Sequence, residues 1–269
     1  MKSGIIIPCY NEANRLNFKE FQSFLKSDST THLCFVNDGS KDNTLDLLHE
    51  FKTTNPSRVQ VYDMPMNQGK AGAVRAGMNH MLENGNYDNL GFMDADLSTS
   101  FEEYMELASN LSNNAQNLHL VFGSRKGEAA GNTERGLFRK LMSTIIGFMI
   151  KILLQLPIKD TQCGAKVFSI DAANYCFNKA FVSRWLFDVE IFIRMRTRHS
   201  RSQVMHMLKE IPLKNWVAVG DSKITMSESI KIPTQLLKIA NTYYIRPQFA
   251  EGLRAASFLL FGLIPFLRS

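Results

Sequence analysis

Two carboxylates one residue apart, Asp94 and Asp96 in GFMDADLST (91–99), follow a short apolar run. Hard oxygen ligands at that spacing suit Mg²⁺ or Mn²⁺, which are commonly held by one or two carboxylates and completed by substrate phosphate oxygens. An ion so placed neutralises a departing diphosphate as a Lewis acid. A solvated turn or a helix cap shows the same spacing, and the pair alone does not choose between them. Three further stretches share this dual character. In VNDGSKDNT (36–44), Asp38 can accept hydrogen bonds from a nucleobase or ribose beside a tight turn at Gly39, while residues 40–43 can equally cap a helix. In NQGKAG (67–72), Lys70 and the neighbouring amides can attract an anion, or simply open a helix. In RGLFRKLMSTIIGFMIKILLQLP (135–157), Arg135, Arg139 and Ser143 share one stripe of a very apolar helix. A guanidinium fork suits phosphate, and apolar surface beside it suits a lipid tail. Asp188 in WLFDVE reads as a base, an acceptor-orienting carboxylate or a helix cap, and Asp160 in DTQCGAK is as open.

These residues need a frame. GIIIPCY, HLCFVNDGS, RVQVYDMP, NLGFMDADLS and LHLVFGSR read as strands, and amphipathic helical segments separate the first four and precede the fifth. Such alternation predicts an α/β fold, a mainly parallel sheet with helices on both faces. Ligands of such sheets bind outside the carboxyl ends of the strands. Asn11 and Glu12, Asp38, Asp94 and Asp96, and Arg125 all fall at such ends. Farther on, DTQCGAKVFS reads as a turn into a strand and FDVEIFIRMRTRHS as a helix.

At 269 residues, 45% apolar and 21% charged, the chain has the composition of a globular protein. A net charge of +6 without a long basic run argues against nucleic acid and suits phosphates or an anionic membrane surface. The four cysteines form no CxxC pair and read as reduced thiols of a cytosolic protein. No segment offers the roughly 20 apolar residues that a spanning helix requires. AASFLLFGLIPFL (255–267) is long enough to lie in a membrane interface. The expected organisation is a catalytic domain over 1–225, including an interfacial helix at about 135–156, and a helical membrane-interface segment over 226–269. A cytoplasmic location with peripheral attachment to the inner face of the membrane is expected.

Together, PCYNEANRL, VNDGSKDNT, NQGKAGAVRAG and MDADLS resemble, in order and spacing, the family 2 inverting glycosyltransferases of the GT-A fold, Rossmann-like with a mixed, mainly parallel sheet. The resemblance implies a nucleotide-sugar donor, with Pro8, Tyr10, Glu12 and Asp38 around the nucleotide and Asp94 and Asp96 at the metal and diphosphate. GSRKG, RKLMS, DTQCGAKVFS, WLFDVEIF and EIPLKNWVAVGDSKI extend it to the dolichyl- and polyprenyl-phosphate sugar synthases, closest to the dolichyl-phosphate β-glucosyltransferase branch. There Arg125, Arg139 and Ser143 match residues that hold the acceptor lipid phosphate, and Lys223 matches a basic residue that closes over the donor.

The expected reaction is inverting transfer of a hexose, glucose by resemblance, from a UDP-sugar to polyprenyl or dolichyl phosphate. A phosphate monoester with a second pKa near about 6 needs positioning more than deprotonation. The alternatives are a hydroxyl acceptor on a polysaccharide or lipid-linked glycan, mannosyl transfer from GDP-mannose, and a non-catalytic membrane-binding module.

Overall fold

The computed structural model describes residues 1–113, 117–125, 137–216 and 231–245, without the side chains of 137–143. The elements alternate at first: β1 (Ser3–Cys9), α1 (Phe18–Ser27), β2 (Thr31–Asn37), α2 (Thr44–Thr54), β3 (Val59–Asp63), α3 (Gly69–Asn84), β4 (Asn89–Phe92), α4 (Phe101–Ser112) and β5 (Leu120–Ser124). Then come α5 (Leu137–Leu154), β6 (Lys166–Ser169), α6 (Ile170–Phe177), α7 (Phe187–Arg198), α8 (Arg201–Met207) and β7 (Leu208–Pro212). The last described helix is α9 (Ile232–Ala240), followed by a π-helical turn, Asn241–Ile245.

Among the described residues the strands form one seven-stranded sheet, ordered β3-β2-β1-β4-β6-β5-β7. The run Ile5-Ile6-Ile7 shows why β1 sits centrally. Ile6 packs on one face with Val36, Met78 and Phe92, whereas Ile5 and Ile7 pack on the other with Phe21, Phe35 and Leu107. A strand buried on both faces is an unbroken apolar run. Each fully buried Ile or Phe contributes about 1.5–3 kcal/mol of hydrophobic stabilisation. Pro8 lies beyond the residues that β1 pairs with β4, which end at Ile6. Its missing N–H therefore interrupts no ladder on that side.

The sheet is parallel except at β6, which runs antiparallel to both β4 and β5. The cause is the segment 155–165. Gln155 ends α5 in a left-handed conformation (φ 51°) and its amide caps Lys151 O at 2.8 Å. The chain then returns to the rim that β5 has just left, where Gly123 N donates to Ala165 O at 3.0 Å. From there β6 runs back between its neighbours. This one reversal places residues 160–165 on the ligand edge, beside the exits of β4 and β5. The helix expected at about 135–156 is present as α5, and the expected domain boundary at 225 falls outside the described residues.

Candidate active site

Four carboxylates meet four cations at the carboxyl edge of the sheet. Asp94 Oδ1 lies 2.5 Å from Lys70 Nζ. Asp96 Oδ2 lies 3.4 Å from Arg15 Nη2. Asp160 takes Arg125 in a two-pronged pair, Nε at 2.8 Å and Nη2 at 2.9 Å. Asp188 Oδ1 lies 2.6 Å from Lys166 Nζ.

Local sequence explains how each is aimed. After β4 the chain turns at once: Leu97 N donates to Asp94 O at 3.2 Å, and Leu97 adopts φ 55°. A left-handed leucine is strained by roughly 1–2 kcal/mol. The bend lets Ser98 N donate to Asp96 Oδ1 at 3.0 Å, which fixes that carboxylate. Lys70 opens α3. Burial alone would pull its ammonium down, but the Asp94 and Asp188 carboxylates outweigh this and hold it above the ordinary lysine value.

Asp38 closes the start of the same helix. Its carboxylate accepts from Gln68 N at 2.7 Å and Gly69 N at 2.8 Å, a cap delivered from another loop. Burial pushes Asp38 up, against the pull of those amides and of Arg184. Arg184 grips the same loop by donating to Gln68 O at 3.1 Å and to Asn67. Gly69 has φ 78°, and a Cβ there would stand 2.7 Å from Arg184 Nε, so the grip requires glycine. The loop after β1 locks to the loop after β2: Asn11 N donates to Ser40 Oγ at 3.0 Å, Glu12 N to Thr44 Oγ1 at 2.9 Å, and Ala13 N to Asp42 Oδ2 at 3.2 Å. Pro8, Tyr10, Glu12 and Asp38 thus stand around one rigid corner. Within residues 40–43, Asp42 accepts from Thr44 N at the start of α2 (3.1 Å), while Asp38 serves the start of α3.

On the other side, Arg125 leaves β5. Its own amide also donates to Asp160 Oδ2, at 3.0 Å, and its guanidinium lies 5.8 Å from the Trp216 ring. Burial opposes its charge, yet the Asp160 hydrogen bond and charge raise its pKa above the ordinary value. Asp160 is anchored from β7, where Glu210 accepts from the amides of Lys159 (2.9 Å) and Asp160 (2.8 Å). Asp160 is therefore an aiming carboxylate for Arg125. Asp188 lies in the first turn of α7 without capping it, since its carboxylate accepts from Lys166. Arg135 and Lys223 lie outside the described residues, as do the side chains of Arg139 and Ser143.

Hard oxygens of Asp94 and Asp96 fit Mg²⁺ or Mn²⁺. Gly164 packs against the first of them so closely that a Cβ would stand 2.0 Å from Asp94 Oδ2. The missing side chain is what leaves that carboxylate its room. Among the described residues no group of three or more His, Cys, Asp or Glu converges as a metal cage.

Residues 4–177 match the sequence profile of glycosyl transferase family 2. The chain belongs to this family. As a family 2 glycosyltransferase it is an enzyme, with relatives named dolichyl-phosphate beta-glucosyltransferase. That of Trichomonas vaginalis is 31% identical over 246 residues, 87% of this chain and 69% of the relative. That of Saccharomyces cerevisiae is 30% identical over 263 residues, 90% of this chain and 75% of the relative. The fold is similar to that of glucosyl-3-phosphoglycerate synthase from Mycobacterium tuberculosis, solved with Mn²⁺, UDP and glucosyl-3-phosphoglycerate (TM-score 0.64, 14% identity, 88% of this chain and 79% of that one). This places the glycosyltransferase in the GT-A class.

Reading the sequence missed Arg15, Arg184, Gly164 and Lys166 as site residues of this glycosyltransferase. Lys166 and Gly164 lay inside a quoted motif, but nothing local separates an ammonium facing the site from one facing water. Arg184 grips a loop 116 residues away in sequence, a contact no spacing rule reports.

Gly164→Ala tests the geometry. The new methyl has to push Asp94 off its contact with Lys70, so on the donor and cation roles proposed below, UDP affinity in the presence of Mn²⁺ is expected to fall about tenfold, in line with a lost charged contact. Calorimetry reads the affinity and a thermal melt reads the fold. Unchanged affinity would show that the Asp94 carboxylate is not held there.

Proposed function

We propose that this chain transfers glucose from UDP-glucose, with inversion, to the phosphate of a polyprenyl lipid such as dolichyl phosphate, and that it does so with a divalent cation. The observation that carries this reading is the facing of two ionic groups across the β4–β6–β5 rim. Asp94, Asp96 and Lys70 suit a diphosphate and its cation. Arg125, aimed by Asp160, suits a second anion. The names of the curated relatives support glucose and dolichyl phosphate, and the UDP in the fold relatives' structures supports the donor.

In the proposed step a phosphate oxygen of the acceptor attacks the anomeric carbon, forming a C–O–P bond as the bond from that carbon to UDP oxygen breaks. When bound, the cation supplies Lewis-acid charge to the diphosphate. Asp94 and Asp96 would hold that cation, and Lys70, beside Asp94, would offer its ammonium to the same diphosphate oxygens. Pro8, Tyr10, Glu12 and Asp38 seat the nucleotide, and Lys223 closes over it. Arg125, Arg135, Arg139 and Ser143 hold the acceptor phosphate. No base is required, which leaves Asp188 an electrostatic part rather than a proton acceptor.

Attachment to a membrane surface is part of the proposal. No helix among the described residues is long and apolar enough to cross a membrane. Yet α5 exposes Ile145, Phe148 (64%) and Ile152 (59%) along one stripe. Helix α9, with Leu237 exposed, packs against α5. An apolar stripe next to the acceptor helix segment suits a lipid interface.

Incubation with radiolabelled UDP-glucose, Mn²⁺ and polyprenyl phosphate in detergent is expected to give an acid-labile glycolipid. Label found only in a hydroxyl-linked, acid-stable product would overturn the acceptor assignment. The pH profile is a second check. Turnover is expected to fall about tenfold per unit below pH about 6, where the acceptor phosphate takes up its second proton. Lys70, held above its ordinary value, brings no limb of its own at neutral pH. A flat profile down to pH 5 would argue against a dianionic nucleophile.

A further inference from the structure

Lys166 is a wholly buried ammonium (0% exposed) that the reaction as described does not use. Each of its three N–H donors has one partner: Asp188 Oδ1 at 2.6 Å, Cys163 O at 2.7 Å and Thr161 O at 3.0 Å. The Phe92 ring lies 5.5 Å away. A buried ion pair is weak evidence for stability, because apolar replacements of similar volume are often neutral or stabilising. What the ammonium does here is geometric. Its two carbonyl partners belong to the turn 160–165. That turn carries Asp160, which aims Arg125. It also carries Gly164, which abuts Asp94. Its third partner, Asp188, carries a charge that favours the protonated forms of both Lys70 and Arg125. One side chain therefore ties α7 to the turn that shapes both halves of the site.

We propose that Lys166 is a positioning residue of the transfer reaction, fixing the turn 160–165 so that Asp160 presents Arg125 to the acceptor phosphate. The assignment of Arg125 to that phosphate rests on the function proposed above; the mechanical link from Lys166 to Arg125 does not. Lys166 touches no substrate in this role. It acts through the turn, so its loss changes acceptor use more than nucleotide binding.

The test compares Asp188→Asn with Lys166→Met/Asp188→Asn. Both remove the carboxylate charge, so neither leaves it buried and unpaired, and only the second loses the bonds to Thr161 O and Cys163 O. Two readouts are taken. The first is kcat/KM for polyprenyl phosphate, alongside UDP affinity measured calorimetrically with Mn²⁺. The second is Trp216 fluorescence in a Trp185→Phe background, because Arg125 stands over the Trp216 ring. The double variant is expected to lose about 100-fold more in kcat/KM than Asp188→Asn, the scale of a misplacement of about 1 Å. UDP affinity should stay within about threefold, a shift of under 1 kcal/mol. Its Trp216 emission should move to that of Arg125→Ala. If the double variant matches Asp188→Asn in both readouts, Lys166 only neutralises a buried charge and the proposal is overturned. A loss carried entirely by UDP affinity overturns it too. If the wild-type protein glycosylates no lipid phosphate, the functional reading fails on its own; Trp216 emission then decides, unchanged emission overturning the role of Lys166 and shifted emission upholding it.

Discussion

Replacing Asp94 by asparagine is expected to reduce sugar transfer by about a thousandfold, the scale of removing one preorganised group that stabilises developing charge. Asparagine keeps the size and one oxygen, so the turn at Leu97 and the packing on Gly164 survive. What disappears is the negative charge that Lys70 approaches to 2.5 Å and that a divalent cation would share. Without it no negative charge at that position would offset the Lys70 ammonium beside a bound cation. Asp96→Ala is expected to be as severe, since it also releases Arg15 and the Ser98 amide. The measurement is the initial rate over a wide Mn²⁺ range. Rates that recover fully at high Mn²⁺ would limit these carboxylates to affinity, and wild-type rates at all concentrations would remove them from the site.

The second large effect concerns the other half of the rim. Asp160→Asn is expected to raise the requirement for lipid phosphate by about 10- to 100-fold, the usual cost of losing a partner that orients a ligand. Arg125 would keep its charge and lose its aim. Donor binding should be nearly unchanged, because Asp160 touches none of the nucleotide corner. The same variant has a pH signature. Burial would push the Asp160 carboxyl up, but the hydrogen bonds and charge of Arg125 hold it below the ordinary carboxylate range. A group with a depressed folded pKa stabilises the fold at pH above its unfolded value, and that contribution is lost as pH falls through the folded one. The melting difference between wild type and Asp160→Asn should therefore be full at neutral pH and shrink on acidification below about pH 4, the unfolded value for aspartate. A difference independent of pH would mean that the pair contributes through shape alone.

Much of the candidate site's placement was legible in the residues because its positions are tied to strand ends. Asp38, Lys70, Asp94, Asp96 and Arg125 each follow or face a recognisable apolar strand, and parallel sheets gather such exits at one edge. The types were informative as well. Paired aspartates and arginines near apolar surface restrict the chemistry to anions and hard cations, and the order of motifs pointed to the family that the sequence profile matches over 4–177. Asp188 and Asp160 stayed open for a different reason. Whether a carboxylate is a base, a cap or the partner of a buried cation depends on what stands across from it, and spacing along the chain is silent about that.

The sequence by itself determined the strand order of chemistry: which residues leave the sheet, at which end, and with what charge. That follows from periodicity and composition, which are local. The tertiary structure decided the pairing: Lys70 with Asp94, Arg15 with Asp96, Arg125 with Asp160, Lys166 with Asp188. It also decided the reversal of β6 that brings the 160–165 turn to the rim. Both depend on contacts between residues far apart in the chain, whose stability comes from burial shared by the whole sheet rather than from any segment's own preference.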